Sequence, residues 1–541
     1  MPSLRNLELP GRSAVHAPNA MASTSQPLST TAALDILKRG GNAMDAAIAA
    51  CAVQCVVEPQ STSLGGDCFC LYSPASSGDV VAFNGSGRTP AGLSLDYLQQ
   101  KGLQLERTSP HAVIVPGAVD AWCQLHAQHG RLPFADLMQP AIGYALNGFP
   151  VAPRVIFDTL KQQELFDVSP SLSRIFQPKG VPMQAGDLLV QKALGQTLQK
   201  IADHGRDGFY SGEVAADMVD TLRALGGVHT LEDFANAKGE FVTPISSEYA
   251  DHMVYECPPN GQGMIALLLL NIMKEMPVVD DPLSVDRIHL EIEACRLAYQ
   301  ARTQYLADPA QAQVPVEEIL SQSYARKLAA QIDMKKAQEV FDVTCSEGAA
   351  HEDTVYITVV DEERNACSFI NTLFFSYGGG ITAEKSGVVL TNRGEGFVLD
   401  PSSPNCIAPN KRPLHTIIPA MLKHKGRTVM PFGVMGGEYQ AMGHMQFLTR
   451  LLDYDQDVQQ AQDMPRFMVS PFEQDVEIES TVDSAKVEAL AKRGHRIAAA
   501  DSPIGGSQAI HINYLDDGDE PGRSLLVGGS DPRKDGHAAG Y

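Results

Sequence analysis

The stretch HEDTVYITVVDEERNACSFINTL, residues 351–373, decides the fold, because it holds two alternating apolar runs on either side of a charged turn. The runs TVYITVV and ACSFINTL predict two β-strands, and the intervening residues 361–365 predict that these strands form a hairpin. Thr354 is the first residue of the first strand. The preceding segment FDVTCSEGAAHED, residues 341–353, is polar and poorly periodic, and it predicts an exposed linker. On this segment alone, Thr354 is most simply interpreted as a residue that opens a half-buried strand.

Thr354 acquires a chemical role if the bond between Asp353 and Thr354 is cut. A threonine hydroxyl is a weak nucleophile that needs a neighbouring base, and the residue's own α-amine can serve once it is free. Such an amine has a pKa of about 7.7 to 8.0, so part of it is neutral at physiological pH. Attack of the Thr354 hydroxyl on the carbonyl of Asp353, followed by hydrolysis of the ester, would give fragments 1–353 and 354–541.

A candidate oxyanion hole lies in PFGVMGGEYQAMGHMQ, residues 431–446. Gly436 and Gly437 directly follow an apolar strand and precede a helix. Adjacent glycines can offer backbone N–H groups where a side chain would block approach. The same pair is also what a tight turn requires. The glycine pair indicates an oxyanion hole only when it is considered together with Thr354 as a nucleophile.

The rest of the chain is rich in helical patterns. Residues 29–57 predict a helix, a turn and a buried helix, and residues 69–84 predict two short strands. Helical periodicity dominates residues 90–335, where 264–273 predicts another buried helix and 289–309 a long helix that ends before a proline. Strands are then predicted at 387–392, 416–422 and 428–435, with a helix near 440–453.

Composition excludes several classes of function. The chain has 42 Lys plus Arg against 64 Asp plus Glu, a net charge of -22, so nucleic acid and anionic membranes are not expected as partners. The ten cysteines lie mostly in apolar surroundings and are expected to be reduced. The first residues lack the apolar stretch of a signal peptide, and together these features favour a cytoplasmic protein. There is no zinc-ligand spacing, Walker loop or dinucleotide motif, and we expect neither a metal nor a cofactor.

Motifs along almost the whole chain resemble the γ-glutamyltransferase family of N-terminal nucleophile hydrolases. These motifs are GGNAMDAAIAA (40–50), EPQSTSLGGDCF (58–69), FNGSGRTP (83–90), VPGAVDAW (115–122), PPNGQG (258–263), RLAYQARTQYLADP (296–309), TVYITVVDEERNACS (354–368), GVVLTNRGEGF (387–397), KRPLHTIIPAM (411–421), VMGGEYQ (434–440) and GGSDPRKDGHAAGY (528–541).

The resemblance implies an α+β fold, a four-layer αββα sandwich formed jointly by a large subunit (1–353) and a small subunit (354–541). A proenzyme would cut itself between Asp353 and Thr354. By position, Thr354 becomes the nucleophile, Thr372 a hydroxyl near its α-amine, and Gly436 with Gly437 the oxyanion hole. The two subunits would come from one precursor, and a dimer of such heterodimers is left open.

The donor pocket implied by the resemblance departs from that of true transferases. Arg88 matches the carboxylate-binding arginine, a role that suits the guanidinium fork. Where transferases hold the γ-glutamyl amine with an acid, an asparagine and a glutamine, this chain has Gly396, Phe374 and Arg393. A second arginine would repel an ammonium and favour a donor with a carboxylate alone. Phe374 would narrow the site and suit a short donor.

Two further positions leave alternatives open. The usual serine pair is replaced by His415 and Thr416, and His415 is either ligand-binding or a packed polar residue. Glu395 could replace the missing acid if the pattern shifts by one residue. These differences resemble the branch of the family that includes oxamate amidohydrolase and cephalosporin acylase. The residues between Phe397 and Lys411 could form a lid.

The favoured function is therefore an amidohydrolase for a small acidic acyl amide, oxamate-like or glutaryl-like. The alternative is a γ-glutamyl hydrolase or transferase acting on glutathione and related donors. A third possibility is an unprocessed relative that binds a metabolite without turnover, but Thr354, Gly436 and Gly437 argue against it.

Overall fold

The computed structural model describes residues 11–338, 353–470, 474–515 and 523–541. Within these ranges the strands are β1 (Val15–Ala17), β2 (Met21–Thr24), β3 (Asp67–Ser73), β4 (Val81–Gly85), β5 (Phe149–Pro150), β6 (Leu188–Leu189), β7 (Glu240–Val242), β8 (Ile245–Tyr249), β9 (His252–Glu256), β10 (Asp353–Val360), β11 (Ala366–Phe374), β12 (Thr382–Ala383), β13 (Val388–Val389), β14 (Ala420–His424), β15 (Arg427–Met435), β16 (Phe467–Val469), β17 (Asp475–Ile478), β18 (Arg496–Ala499), β19 (Gly506–Tyr514), β20 (Ser524–Ser530) and β21 (His537–Gly540).

The helices of the same ranges are α1 (Pro27–Lys38), α2 (Ala43–Val57), α3 (Leu95–Lys101), α4 (Ala118–His129), α5 (Phe134–Asn147), α6 (Pro153–Leu160), α7 (Gln163–Val168), α8 (Pro170–Phe176), α9 (Lys192–His204), α10 (Asp207–Tyr210), α11 (Gly212–Ala224), α12 (Leu231–Ala235), α13 (Gly263–Lys274), α14 (Val285–Tyr305), α15 (Val316–Ile319), α16 (Gln322–Ala329), α17 (Tyr439–Asp453), α18 (Val458–Asp463) and α19 (Ser484–Lys492). Short 3-10 helices cover Pro110–Ala112 and Arg393–Gly396.

Two seven-stranded antiparallel sheets form the centre of the molecule. Sheet A has the order β1-β20-β19-β15-β14-β9-β8, and sheet B has the order β21-β2-β10-β11-β3-β4-β7. Both sheets take strands from residues before 353 and from residues after it. The two predicted fragments would therefore remain interleaved after a cut.

The molecule has four layers, because one buried cluster lies between the two sheets and one lies between each sheet and the helices that cover its outer face. The cluster between the sheets contains Phe69, Tyr356 and Ile370 from sheet B, with Met421 and Ile510 from sheet A. Neighbouring residues on the same strands point to opposite faces. The outer face of sheet B accordingly packs against α2 and α5, and that of sheet A against α13, α14 and α17. This confirms the αββα sandwich and the α+β class.

The predicted hairpin is present and is central to sheet B. Strand β10 pairs antiparallel with β11, Thr354 lies opposite Thr372, and the ladder is irregular between Asp353 and Thr354. The predicted linker lies outside the described residues apart from Asp353, whose backbone begins β10.

The buried helices were also predicted correctly. Every residue of α2 is buried, and its first turn is closed by reciprocal hydrogen bonds between Asn42 and Asp45. Helix α13 is buried from Gly263 to Met273. A helix that is apolar all round belongs inside a large core.

Two parts of the organisation differ from the sequence prediction. The block 90–335 is not helical throughout, because residues 240–256 form the edge strands β7 and β8 and the strand β9, which pairs with β8 and β14. The sequence of these short strands shows only weak apolar alternation. The run 387–392 forms only the two-residue strand β13, and 416–422 becomes a strand only from Ala420 onward. Thr391 of the first run and Thr416 of the second instead make contacts in the candidate site.

Among the described residues no helix is both long enough and apolar enough to cross a membrane. Nine cysteines of those ranges are free thiols, and seven of them are buried.

Candidate active site

Thr354 is held at the start of β10, where it is only 2% exposed. Its Oγ1 lies 3.1 Å from Oγ1 of Thr372 on the adjacent strand. The Thr372 oxygen also accepts a hydrogen bond of 2.9 Å from the backbone N–H of Phe374. The hydrogen-bonded hydroxyl pair fixes the rotamer of the candidate nucleophile, because both side chains are buried and β-branched.

The backbone turns sharply after Thr372. Phe374 adopts φ of +79°, which is rare for a residue with a large side chain. This conformation places its ring against the guanidinium of Arg393, whose central carbon lies 3.6 Å from the ring centroid. Strained residues of this kind persist where the surrounding structure holds them, and they are common at functional sites.

Arg393 is almost completely buried, at 1% exposure. It donates from Nη1 to Oγ1 of Thr416 over 3.1 Å. Its backbone N–H is held by the hydroxyl of Thr391 at 3.2 Å. Contacts therefore connect Thr354, Thr372, Phe374, Arg393 and Thr416 in one continuous path.

The Gly436–Gly437 pair lies at the turn from β15 to α17. Gly436 has φ of +122° and Gly437 has φ of +52°. A Cβ atom on Gly436 would lie 2.8 Å from the Cα of Gly505, so this position needs glycine for both its conformation and its packing. Gln262 donates from Nε2 to the carbonyls of Gly437 (3.1 Å) and Thr416 (2.8 Å), which joins the glycine turn to the Arg393 path.

Arg88 lies in a separate polar group. It donates from Nη1 to Asp308 Oδ2 (3.2 Å) and to the carbonyl of Asn410 (3.1 Å), and its side chain is 32% exposed. Burial, followed by the neighbouring charge of Arg412, lowers the pKa of Arg88. Its Nη2 also lies 3.8 Å from Glu240. The structure thus surrounds this arginine with oxygen atoms from three separate segments.

His415 connects the two groups. It is fully buried, its Nε2 lies 3.0 Å from Asp67 Oδ2, and its Nδ1 accepts a 3.3 Å hydrogen bond from the N–H of Ile417. The other oxygen of Asp67 accepts from the N–H of Gly87 at 2.8 Å, next to Arg88. Burial, followed by the charge of Arg393, lowers the pKa of His415 to about 4. The ring is therefore neutral at pH 7, and both of its nitrogens are engaged by the protein.

Glu395 and Gly396 lie on the 3-10 helix that follows Arg393. Burial raises the pKa of Glu395 to about 7, although a hydrogen bond from Asn392 and the charge of Arg107 both lower it. The Asn392 amide donates to Oε2 over 2.8 Å. At Gly396 a Cβ atom would lie 3.3 Å from the carbonyl of Leu414, so a side chain there requires a small adjustment.

Comparisons with known proteins agree with this geometry. Residues 29–541 match the family model described as Gamma-glutamyltranspeptidase. The chain belongs to the γ-glutamyltranspeptidase family. It is therefore a member of a family of hydrolases and acyltransferases, as the sequence motifs predicted.

Three relatives show the breadth of this family. The Glutathione hydrolase-like YwrD proenzyme of Bacillus subtilis is 36% identical over 521 residues, covering 95% of this chain and 97% of that protein. The Oxamate amidohydrolase proenzyme of Klebsiella pneumoniae is 30% identical over 538 residues, covering 97% and 98%. The crystal structure of cephalosporin acylase from Bacillus halodurans has a TM-score of 0.89 and 36% identity, covering 100% of this chain and 99% of that one.

Sequence reasoning missed the polar residues that hold the family's glycine turn. Arg302 donates to Gln262 Oε1 at 3.1 Å and forms an ion pair with Glu438. These residues lie in the motifs PPNGQG, RLAYQARTQYLADP and VMGGEYQ, which supported the resemblance but were given no role. The available signal was a charged or amide side chain within each of these motifs. Asp67, the partner of His415, was missed in the same way.

One group of side chains has the composition of a metal site. His289, Glu293 and His495 are buried, and their potential ligand atoms lie within 4.8 Å of one another. His289 Nδ1 lies 2.7 Å from His495 Nε2, while Glu293 accepts from Arg296 at 3.0 Å. An arginine paired with the only carboxylate disfavours a bound cation. His289 also contacts the carbonyl of Asp333 at 2.8 Å. The arrangement fits a structural cluster that anchors the segment before residue 338 better than it fits a metal centre.

Proposed function

We propose that this protein is an autoprocessing threonine amidohydrolase that cleaves the amide bond of a small acidic acyl donor, glutaryl-like or oxamate-like, through an acyl-threonine intermediate. It would be made as one chain and cut between Asp353 and Thr354 into subunits 1–353 and 354–541. The buried hydroxyl pair at Thr354 and the irregular ladder at Asp353 support this site. So do the proenzyme names of two of its relatives. The free cysteines support the expectation of a reducing compartment.

In the proposed reaction the α-amine of Thr354 accepts the hydroxyl proton as Oγ1 attacks the substrate carbonyl. The carbonyl oxygen becomes an oxyanion, which the backbone N–H groups at Gly436 and Gly437 stabilise. The C–N bond then breaks, and the amine leaves with the proton taken from the hydroxyl. Water attacks the acyl ester in the second half of the reaction and regenerates Thr354. Thr372 orients the attacking oxygen through the 3.1 Å contact.

The observation that carries the specificity is the buried guanidinium of Arg393 between Phe374 and Thr416. Thr416 and Phe374 hold this guanidinium in one orientation, and a planar guanidinium gives a substrate carboxylate charge-assisted hydrogen bonds. We assign the donor carboxylate to Arg393 and Arg88, with Thr416 orienting the first arginine and Phe374 limiting the length of the acyl group. His415 is neutral, and both of its nitrogens are engaged by the protein. Through its contact with Asp67 it positions the side of the pocket that holds the two arginines.

A γ-glutamyl donor is the second candidate, and Glu395 is the observation that favours it. This carboxyl lies two residues from Arg393 and could bind the α-ammonium of such a donor. With a pKa near 7 it is largely protonated below neutrality, which weakens it as an ammonium partner. The adjacent Arg393 opposes the ammonium further.

Initial rates on glutaryl and γ-glutamyl 4-nitroanilide distinguish these candidates, because the two donors differ only in the α-amino group. The protein is first checked on a denaturing gel for cleavage before Thr354. We expect faster release from the glutaryl compound. Faster release from the γ-glutamyl compound would overturn the acidic-acyl specificity, and hydrolysis of neither would overturn the amidohydrolase itself.

A further inference from the structure

A narrow polar cleft adjoins the glycine turn at Gly436. Its walls include Arg154, Lys161, Ser376, Lys534 and the two glycines Gly436 and Gly505. A volume of about 60 Å³ is open to water in the cleft. That volume accommodates a few water molecules or one carboxylate, but not an aromatic ring.

The cleft is positively charged in a protein that carries a net charge of -22. Its one acid, Asp158, is neutralised because both of its carboxylate oxygens accept from Arg154 Nε at 2.8 Å. Lys161 contacts the carbonyl of Asp501 at 2.7 Å and the hydroxyl of Ser502, which are both neutral. Within the described ranges, no carboxylate lies within ion-pair distance of Lys161, so its charge is available to an anion.

Ser376 supplies a second, independent sign of a ligand. The residue is 5% exposed, and its Oγ is buried without a hydrogen-bond partner among the described residues. A buried hydroxyl without a partner costs free energy, and a bound polar group would remove that cost. This hydroxyl and the lysine line the same small space as Gly436.

We propose that this cleft binds a carboxylate on the amine portion of the substrate. The inference rests on the proposed function, because Gly436 is assigned to the oxyanion hole and a group bound beside it lies next to the scissile carbonyl. Arg393 and Arg88 then select the acyl side of the amide, while Lys161 and Ser376 select the amine side. The favoured substrate is an acidic acyl group joined to an amino acid or a similar amine, in preference to a primary amide such as oxamate, whose leaving group carries no charge.

The test uses two substrates that share the glutaryl group, the 4-nitroanilide and the 3-carboxy-4-nitroanilide. For the processed wild-type enzyme we expect kcat/KM to be higher for the carboxylated compound. Lys161→Met should lower that value about three- to fivefold, the size of an exposed ion pair, and leave the neutral compound within about twofold. The difference in kcat/KM between the two substrates should shrink as salt is added, because salt screens the charge of Lys161. Lys192→Met, which removes an exposed lysine at the start of α9, is the matched control and should change neither rate.

A binding measurement decides the proposal without turnover. The carboxylated amine product, 5-amino-2-nitrobenzoate, and neutral 4-nitroaniline are titrated into the processed protein and followed by absorbance. The carboxylated amine should bind more tightly, and Lys161→Met should remove that advantage. Equal binding of both amines, or an unchanged preference in the variant, would overturn the cleft assignment. If neither anilide is hydrolysed, the proposed function fails while the titration still decides the cleft.

Discussion

Replacing Arg393 with glutamine should lower kcat/KM for donors that carry a carboxylate and spare those that do not. The side chain is 1% exposed, and Nη1 is aligned by Thr416 at 3.1 Å, so a donor carboxylate would meet a fixed guanidinium away from water. A hydrogen bond to a charged group is worth about 1.5 to 3 kcal/mol. With about 1.36 kcal/mol per factor of ten, the expected loss is about 10- to 150-fold.

The assay compares glutaryl 4-nitroanilide with valeryl 4-nitroanilide, which has a methyl group in place of the carboxylate. Arg393→Gln should reduce the glutaryl rate by that factor and change the valeryl rate less than about threefold. Arg393→Lys is the control that keeps the charge and loses the planar fork, so an intermediate loss is expected. All proteins are checked for cleavage and for an unchanged melting profile.

Two results would refute this reasoning. Equal losses for both donors would mean that Arg393 supports the site without binding the carboxylate, and no loss for either would remove it from the donor pocket. The converse change, Arg393→Gln with Gly396→Asp, should raise γ-glutamyl turnover relative to glutaryl turnover. The clearance of 3.3 Å at Gly396 leaves room for a side chain after a small shift. An unchanged ratio would count against the proposed basis of specificity.

The remaining predictions concern the nucleophile, the second arginine, the glycine turn and the pH dependence of stability. Thr354→Ala should give one folded, inactive chain of 541 residues on a denaturing gel, and normal cleavage would exclude Thr354 as the nucleophile. Arg88→Ala should raise KM for carboxylated donors with little change in kcat, and unaltered kinetics would place it outside the site. Gly436→Ala should lower kcat about 10²- to 10³-fold, because a Cβ atom is disfavoured at φ of +122° and would lie too close to Gly505, so the backbone N–H group would shift away from the oxyanion. A fully active variant would argue against the oxyanion hole. Glu395 has a pKa of about 7 in the folded protein against 4.5 in the unfolded chain, so the unfolded chain releases this proton first and the free energy of unfolding falls as pH rises from 4.5 to 7. Glu395→Gln should remove that part of the pH dependence when stability is measured by denaturant titration at several pH values. The same pH dependence in the variant and the wild type would contradict the raised pKa.

Local pattern was sufficient for several elements of the fold. The hairpin of β10 and β11 was predictable because alternation and a charged turn lie within about twenty residues of sequence. Helices α2 and α13 were predictable because continuous apolar runs of that length have few other solutions. Strands β7 to β9 were not predicted, since they carry a weak pattern of their own and β7 and β9 pair with strands that are distant in the chain.

The sequence by itself determined the family, the candidate nucleophile and the glycine turn, because each depends on residue types in short motifs. Only the tertiary structure decided how the side chains meet. His415 and Asp67 are 348 residues apart in the chain, and Gln262 and Gly437 are 175 apart, yet both pairs are in hydrogen-bond contact. Such contacts depend on how two sheets and two helical layers pack, and no local pattern encodes that distance. The presence of a cation at residue 393 could be read from the sequence, but the burial of Arg393 against Phe374 and Thr416 could not.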